Sequence, residues 1–151
     1  MCPQAPTPPI PIVLIGLHTE MARPISEGLK PDYEILRFIQ TQEAAKQDLP
    51  HLLQGETPPN PPTNDIGTEH HDRPARAVLL GRGFTTEQAE ALYGLFKDAG
   101  PEPVLWVARA GANPRPAGGL AGMEGVIISV FRSVLDEWRD QGADRGRLVL
   151  Y

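Results

Sequence analysis

Apolar residues along this chain fall into five short runs: PIVLIGL (11–17), YEILRFIQ (33–40), ARAVLLG (75–81), PVLWVA (103–108) and RLVLY (147–151). Val, Ile, Leu and aromatic residues dominate them, and Gly or Pro stands at most boundaries, as in strands. The first, third and fourth runs are nearly continuous rather than alternating, which is how strands covered on both faces read. The second interleaves Glu34, Arg37 and Gln40 with apolar residues and suits a sheet edge.

Between the runs the period lengthens to that of a helix. A short helix is predicted over 20–30, with Pro24 tolerated near its start. The next, 41–54, opens on Thr41 as N-cap and should bend or end at Pro50. The clearest, 85–100, has Thr85 or Thr86 as cap, acidic residues in its first turn and Gly100 as its stop. Ala89, Leu92, Leu95 and Phe96 make up its apolar face. The last helix covers about 120–141.

Strand and helix alternate throughout, so the fold class is α/β with a five-stranded parallel sheet and right-handed crossovers. The connection between the second and third strands is the longest. It suits a crossover stepping over the first strand, which favours strand order 2-1-3-4-5, Rossmann-like or flavodoxin-like, over the dinucleotide order 3-2-1-4-5. The architecture expected is a three-layer sandwich lacking a C-terminal helix, with residues 1–10 a flexible leader and 11–151 a single domain. A polar, proline-rich loop at 55–74 carries no periodicity, and removal of 57–73 is expected to leave the fold intact.

The last helix raises a question of cover. Its apolar residues spread over an arc of roughly 200°, where about 100° suffices for a helix on one sheet. Right-handed crossovers in this order place the first helix on one face and the other three on the opposite face. One face is then left bare, and a homodimer through Val130, Phe131, Val134 and Trp138 is the expected cover.

Composition narrows the function classes. The chain has 151 residues, 14 Lys and Arg against 19 Asp and Glu, and a net charge of −5. That speaks against a general nucleic-acid binder and against an anchor on acidic lipid. No apolar run approaches the roughly 20 residues of a membrane helix. The N-terminus has neither the basic region nor the apolar stretch of a secretory signal. The single cysteine, Cys2, permits no internal disulfide and fits a cytoplasmic setting.

In this topology ligands bind beyond the carboxyl ends of the strands, beside the first one. The turns to weigh are therefore GLHTEMA, GRGFTT and ARAGANPRP. The first provides Gly16, His18 and Thr19, but not the second glycine of a dinucleotide loop. The second strand also ends without an acidic residue for a ribose. An NAD(P) cofactor is possible on fold grounds and disfavoured on these residues. The second turn sets Gly81, Arg82, Gly83 and Thr85 at a helix N-terminus, where free N–H groups, the helix dipole and a guanidinium can hold an anion. Arg109 and Asn113 follow the fourth strand on the same rim. His18 could act as a general acid or base near neutral pH, or serve only the turn. His70, His71 and Asp72 sit in the proline-rich loop as adjacent residues, a poor metal-ligand spacing, so no metal site is expected.

The segments IPIVLIG, LKPDYEILRFI, LPHLLQGE, RAVLLGRGF and the terminal strand ending at Tyr151 resemble short Rossmann-like, NAD(P)-binding-like proteins of filamentous fungi. The resemblance implies the fold and a eukaryotic intracellular setting, and brings no established activity. The expected function is a ligand-binding or assembly module without a working NAD(P) site. The alternative is a small isomerase or lyase on an anionic or carbonyl metabolite, with His18 as acid/base and Arg82 and Arg109 stabilising charge.

Overall fold

The computed structural model describes residues 10–16, 19–29, 32–59, 66–68, 74–80, 86–96, 104–108, 124–141 and 147–150. The elements are β1 (Ile10–Ile15), α1 (Thr19–Leu29), β2 (Tyr33–Ile39), α2 (Gln42–Leu52), β3 (Ala77–Leu80), α3 (Thr86–Phe96), β4 (Leu105–Ala108), α4 (Glu124–Asp140) and β5 (Arg147–Leu150). The parallel sheet runs in the order β2-β1-β3-β4, and β5 is hydrogen-bonded alongside β4. The long second crossover does step over β1, as its length predicts.

Alternate strand residues separate into two apolar layers. Ile12, Leu14, Ala77, Leu79, Leu105 and Val107 face α1 and α4, whereas Val13, Ile15, Val78, Leu80, Trp106 and Ala108 face α2 and α3. The helices therefore divide two and two. The expected division of one and three is corrected by α4, whose Phe131, Leu135 and Trp138 are buried on the α1 side. Three of its residues seat it there. Ile128 lies over Gly28, where a Cβ would stand 2.8 Å from its Cδ1. Arg132 donates to the Gly28 carbonyl at 3.1 Å and pairs with Asp32 at 2.6 Å. The Arg76 guanidinium lies 5.6 Å from the Trp138 ring centroid.

Two expectations change with it. The connections through α1, α2 and α3 share one hand. The step from β4 to β5 runs in the same direction as the two before it but carries its helix on α1's face, so it has the opposite hand. Right-handed crossovers do not hold throughout. Phe131 and Trp138, expected at a dimer seam, are enclosed within their own chain, and Val134 packs half-buried on the same core. The side chain of Val130 lies outside the described residues. The described part of the apolar arc, Ile128, Phe131, Val134, Leu135 and Trp138, packs internally, where α4 meets both the sheet and α1.

Local sequence accounts for much of the rest. Thr41 is the N-cap of α2, its Oγ1 accepting the Ala44 N–H at 3.0 Å. Pro50 does not end that helix, which continues to Leu52. On α3, Ala89, Leu92, Tyr93 and Phe96 turn inward while Leu95 is 61% exposed. The stripe follows the spacing i, i+3, i+4, i+7, from which Leu95 is excluded. Tyr93 meets Trp106 edge-on at 5.9 Å.

The edge strand β2 is covered along its whole length. Its register against β1 slips between Ile12 and Val13: Ile12 pairs with Ile35, and Val13 with Arg37. Leu36 is the additional residue of a bulge. The slip turns Arg37 toward α2, where it pairs with Asp48 at 3.2 Å in a nearly dry site. Part of the proline-rich loop returns to this edge. Ile66 is buried in the α1-side core, and Thr68 donates its N–H to the Ile35 carbonyl at 2.9 Å. Ile66 thus places a core residue inside 57–73, the segment whose removal the sequence suggests the fold would tolerate.

Candidate functional site

The rim is built by strands that end level with one another. Ile15 pairs with Leu80 across β1 and β3, and Leu79 with Val107 across β3 and β4. The chain leaves β1 toward α1 on one face and leaves β3 toward α3 on the other. In open α/β sheets, the place beyond neighbouring strands whose connections leave to opposite faces is where ligands bind.

Of the residues expected there, Gly16 closes β1 and donates its N–H to the Ile39 carbonyl at 2.9 Å. A Cβ on it would stand 3.3 Å from the Phe38 ring, so close packing against β2 is one reason for glycine. Thr19 is the first residue of α1; its side chain lies outside the described residues. His18, Gly81, Arg82, Gly83, Thr85, Arg109 and Asn113 also lie outside them, as do His70, His71 and Asp72. The flanking elements fix their place in the topology. His18 belongs to the two-residue link between Gly16 and α1. Gly81, Arg82, Gly83 and Thr85 belong to the link between Leu80 and α3, and Arg109 directly follows Ala108.

The described part of the rim on the α2–α3 side is amide-rich and carries acidic residues but no basic one in the first turns of the two helices. Gln88 Nε2 donates to Gln42 Oε1 at 3.3 Å, joining the first turns of α3 and α2. Thr41 at the end of β2 is committed to capping α2. Glu43 and Glu87 stand in the first turns of the two helices, where they compensate the dipole that an anion would otherwise use. The sequence reading missed the Gln42–Gln88 bridge; glutamine at the first position of one helix and the third of the next is the only signal for it. Among the described residues, no three His, Cys, Asp or Glu side chains are grouped to hold a metal ion. No described helix is long and apolar enough to cross a membrane.

Among the described residues, a cluster of charged groups stands at the opposite, amino end of the sheet. Tyr33 donates its hydroxyl to Asp136 Oδ1 at 2.6 Å, and Arg132 and Arg139 lie over its ring at 6.0 and 5.7 Å. Burial, then the hydrogen bond to Asp136, holds the phenol well above its ordinary ionisation range. The hydrogen bond to Asp32 raises the Arg132 pKa further. Arg139 joins Asp32 and Asp136 at 3.9 and 3.5 Å. These groups are satisfied by one another and tie α4 to the turn before β2, a structural role. The buried Asp48 keeps one oxygen, Oδ1, without a hydrogen-bond partner, as does Trp106 at Nε1.

Comparison with known proteins gives one distant likeness. The chain is 22% identical over 98 residues to "Kojic acid related protein 6" of Aspergillus oryzae (strain ATCC 42149 / RIB 40), a stretch covering 65% of this chain. That stretch spans 57% of the relative's length. No family model matches the chain. No solved structure matches it.

Proposed function

We propose that this chain is a small Rossmann-like or flavodoxin-like binding domain that takes a small molecule beyond the carboxyl ends of β1 and β3. The single observation behind the reading is the switch point, with exits from adjacent strands on opposite faces. The contacts would come from Gly16, His18 and Thr19 on one side of the crevice and Gly81, Arg82, Gly83 and Thr85 on the other, with Arg109 and Asn113 at its end. NAD(P) is a poor candidate. Gln40 and Thr41 stand where a ribose-binding carboxylate would, and the Thr41 hydroxyl is occupied by its own helix. The relative's name associates it with kojic acid, which makes that compound a natural first probe. The single Cys2 supports a cytoplasmic setting.

The test is native mass spectrometry of the chain purified from its own source, followed by calorimetric titration with NADH, NADPH and kojic acid. A retained small molecule that is lost on Arg82→Ala, with no micromolar affinity for either nicotinamide cofactor, is the expected result. Micromolar NADH or NADPH binding overturns the exclusion of the cofactor. Absence of any retained molecule, with no binding of kojic acid, overturns the site. Turnover of the retained molecule that disappears in His18→Ala would move the reading to the isomerase or lyase alternative.

A further inference from the structure

β2 is the longest strand of the sheet, seven residues against four in each of β3, β4 and β5, and it stands at the edge. Long apolar edges are hazards, because their outward N–H and C=O groups template pairing with another chain. Here the outward backbone is occupied at Ile35. Thr68 places its N–H on the Ile35 carbonyl at 2.9 Å and its hydroxyl on Glu34 Oε1. Ile66, two residues earlier, is anchored in the α1-side core. Between them Gly67 crosses the Leu36–Arg37 bulge. A Cβ there would collide with the Leu36 carbonyl oxygen and stand 2.6 Å from Arg37 Cα, so only glycine fits. Anchor, crossing and latch are thus three consecutive residues fitted to one irregularity of one strand.

We propose that Ile66–Thr68 is an edge guard, a segment of the chain's own loop that occupies the outward backbone of β2 and keeps two copies from pairing β2 to β2. A second copy is the partner this edge would otherwise take. Two identical edges meet antiparallel about a two-fold axis and continue the sheet. This inference is independent of the ligand reading, since it concerns the outer edge of β2 and not the rim.

Hydrogen exchange and light scattering test it together. In the native chain the Thr68 amide is expected to exchange at least about tenfold more slowly than an unstructured amide. Gly67→Val should abolish that protection while β1 and β3 amides keep theirs, and the scattering mass should climb with concentration to twice that of the native chain. Thr68→Pro, which removes the donor without crowding the bulge, should do the same. Leu92→Ala weakens the opposite core and should keep the native mass. A freely exchanging Thr68 amide in the native chain overturns the proposal. So does either opened variant holding the native mass as concentration rises. Equal association of Leu92→Ala also overturns it, since instability alone would then be the cause.

Discussion

Tyr33 couples three scales of interaction in one side chain: a buried ring, a hydroxyl on Asp136 at 2.6 Å and two guanidinium groups over its face. Its ionisation is pushed up from the ordinary 10.0, mainly by loss of water and then by Asp136, against the opposing pull of Arg139 and Arg132. A phenol harder to ionise in the folded chain contributes fully below pH 10.0. The contribution falls as pH rises beyond that, because the unfolded chain gives up its proton first. Tyr33→Phe is therefore expected to cost about 1 kcal/mol at neutral pH, the worth of one hydrogen bond. It should also flatten the alkaline decline, so the two denaturation curves converge above pH 10.0. Curves that stay parallel would remove Tyr33 as the cause. Arg37 and Asp48 illustrate what residue type alone conceals. Both belong to classes usually solvated, yet they form a buried pair, because the bulge rotates Arg37 onto the α2 face. A charged residue within an apolar strand was visible in the sequence; the slip that gives it a partner was not, since a period of two has no signature for one inserted residue.

The strands and helices themselves were legible, and α4 shows where legibility stopped. Its span and its wide apolar arc could be read from the sequence, but periodicity does not say which surface a helix faces. The connection rule placed α4 opposite α1, and the contacts with Gly28 and Asp32 override the rule. Those contacts join residues roughly a hundred positions apart, beyond any local pattern. Trp138→Glu now carries a different expectation from that of an interface mutation. It places a carboxylate in a dry core and removes the ring beneath Arg76, so at least about 3 kcal/mol should be lost, roughly 6–12 °C in Tm. A thermal melt checks it. An unchanged Tm with a halved scattering mass would restore the seam. The proline-rich loop is the converse case. Its composition signals irregular backbone, which the described residues 55–59, 66–68 and 74 show, but composition cannot reveal that one Ile-Gly-Thr triplet within it fits an edge.

At the scale of the molecule, the order of the four strands β2-β1-β3-β4 followed from one comparison of connection lengths. The candidate site was legible only as a place. Topology brings the turns after β1, β3 and β4 to one rim, while Gly16 and Thr41 prove to serve packing and capping. Glycine at a strand end reads the same for a phosphate as for a neighbouring phenylalanine, so the motif by itself does not separate the two. The guard on β2 has a further consequence. The elements from β1 to α2 form one part of the chain, and later elements grip it from both sides, β3 along the inner edge of β1 and Ile66–Thr68 along the outer edge of β2, with α4 across α1. The polypeptide closes like a clasp, and its integrity need not depend on an unbroken backbone. Peptides 1–59 and 60–151, produced separately, are expected to lack the far-ultraviolet dichroism of the intact chain and to regain it when mixed, eluting together as a noncovalent pair. Fragments that stay apart would show that covalent continuity through the proline-rich loop, and not the grip, holds the two halves in place.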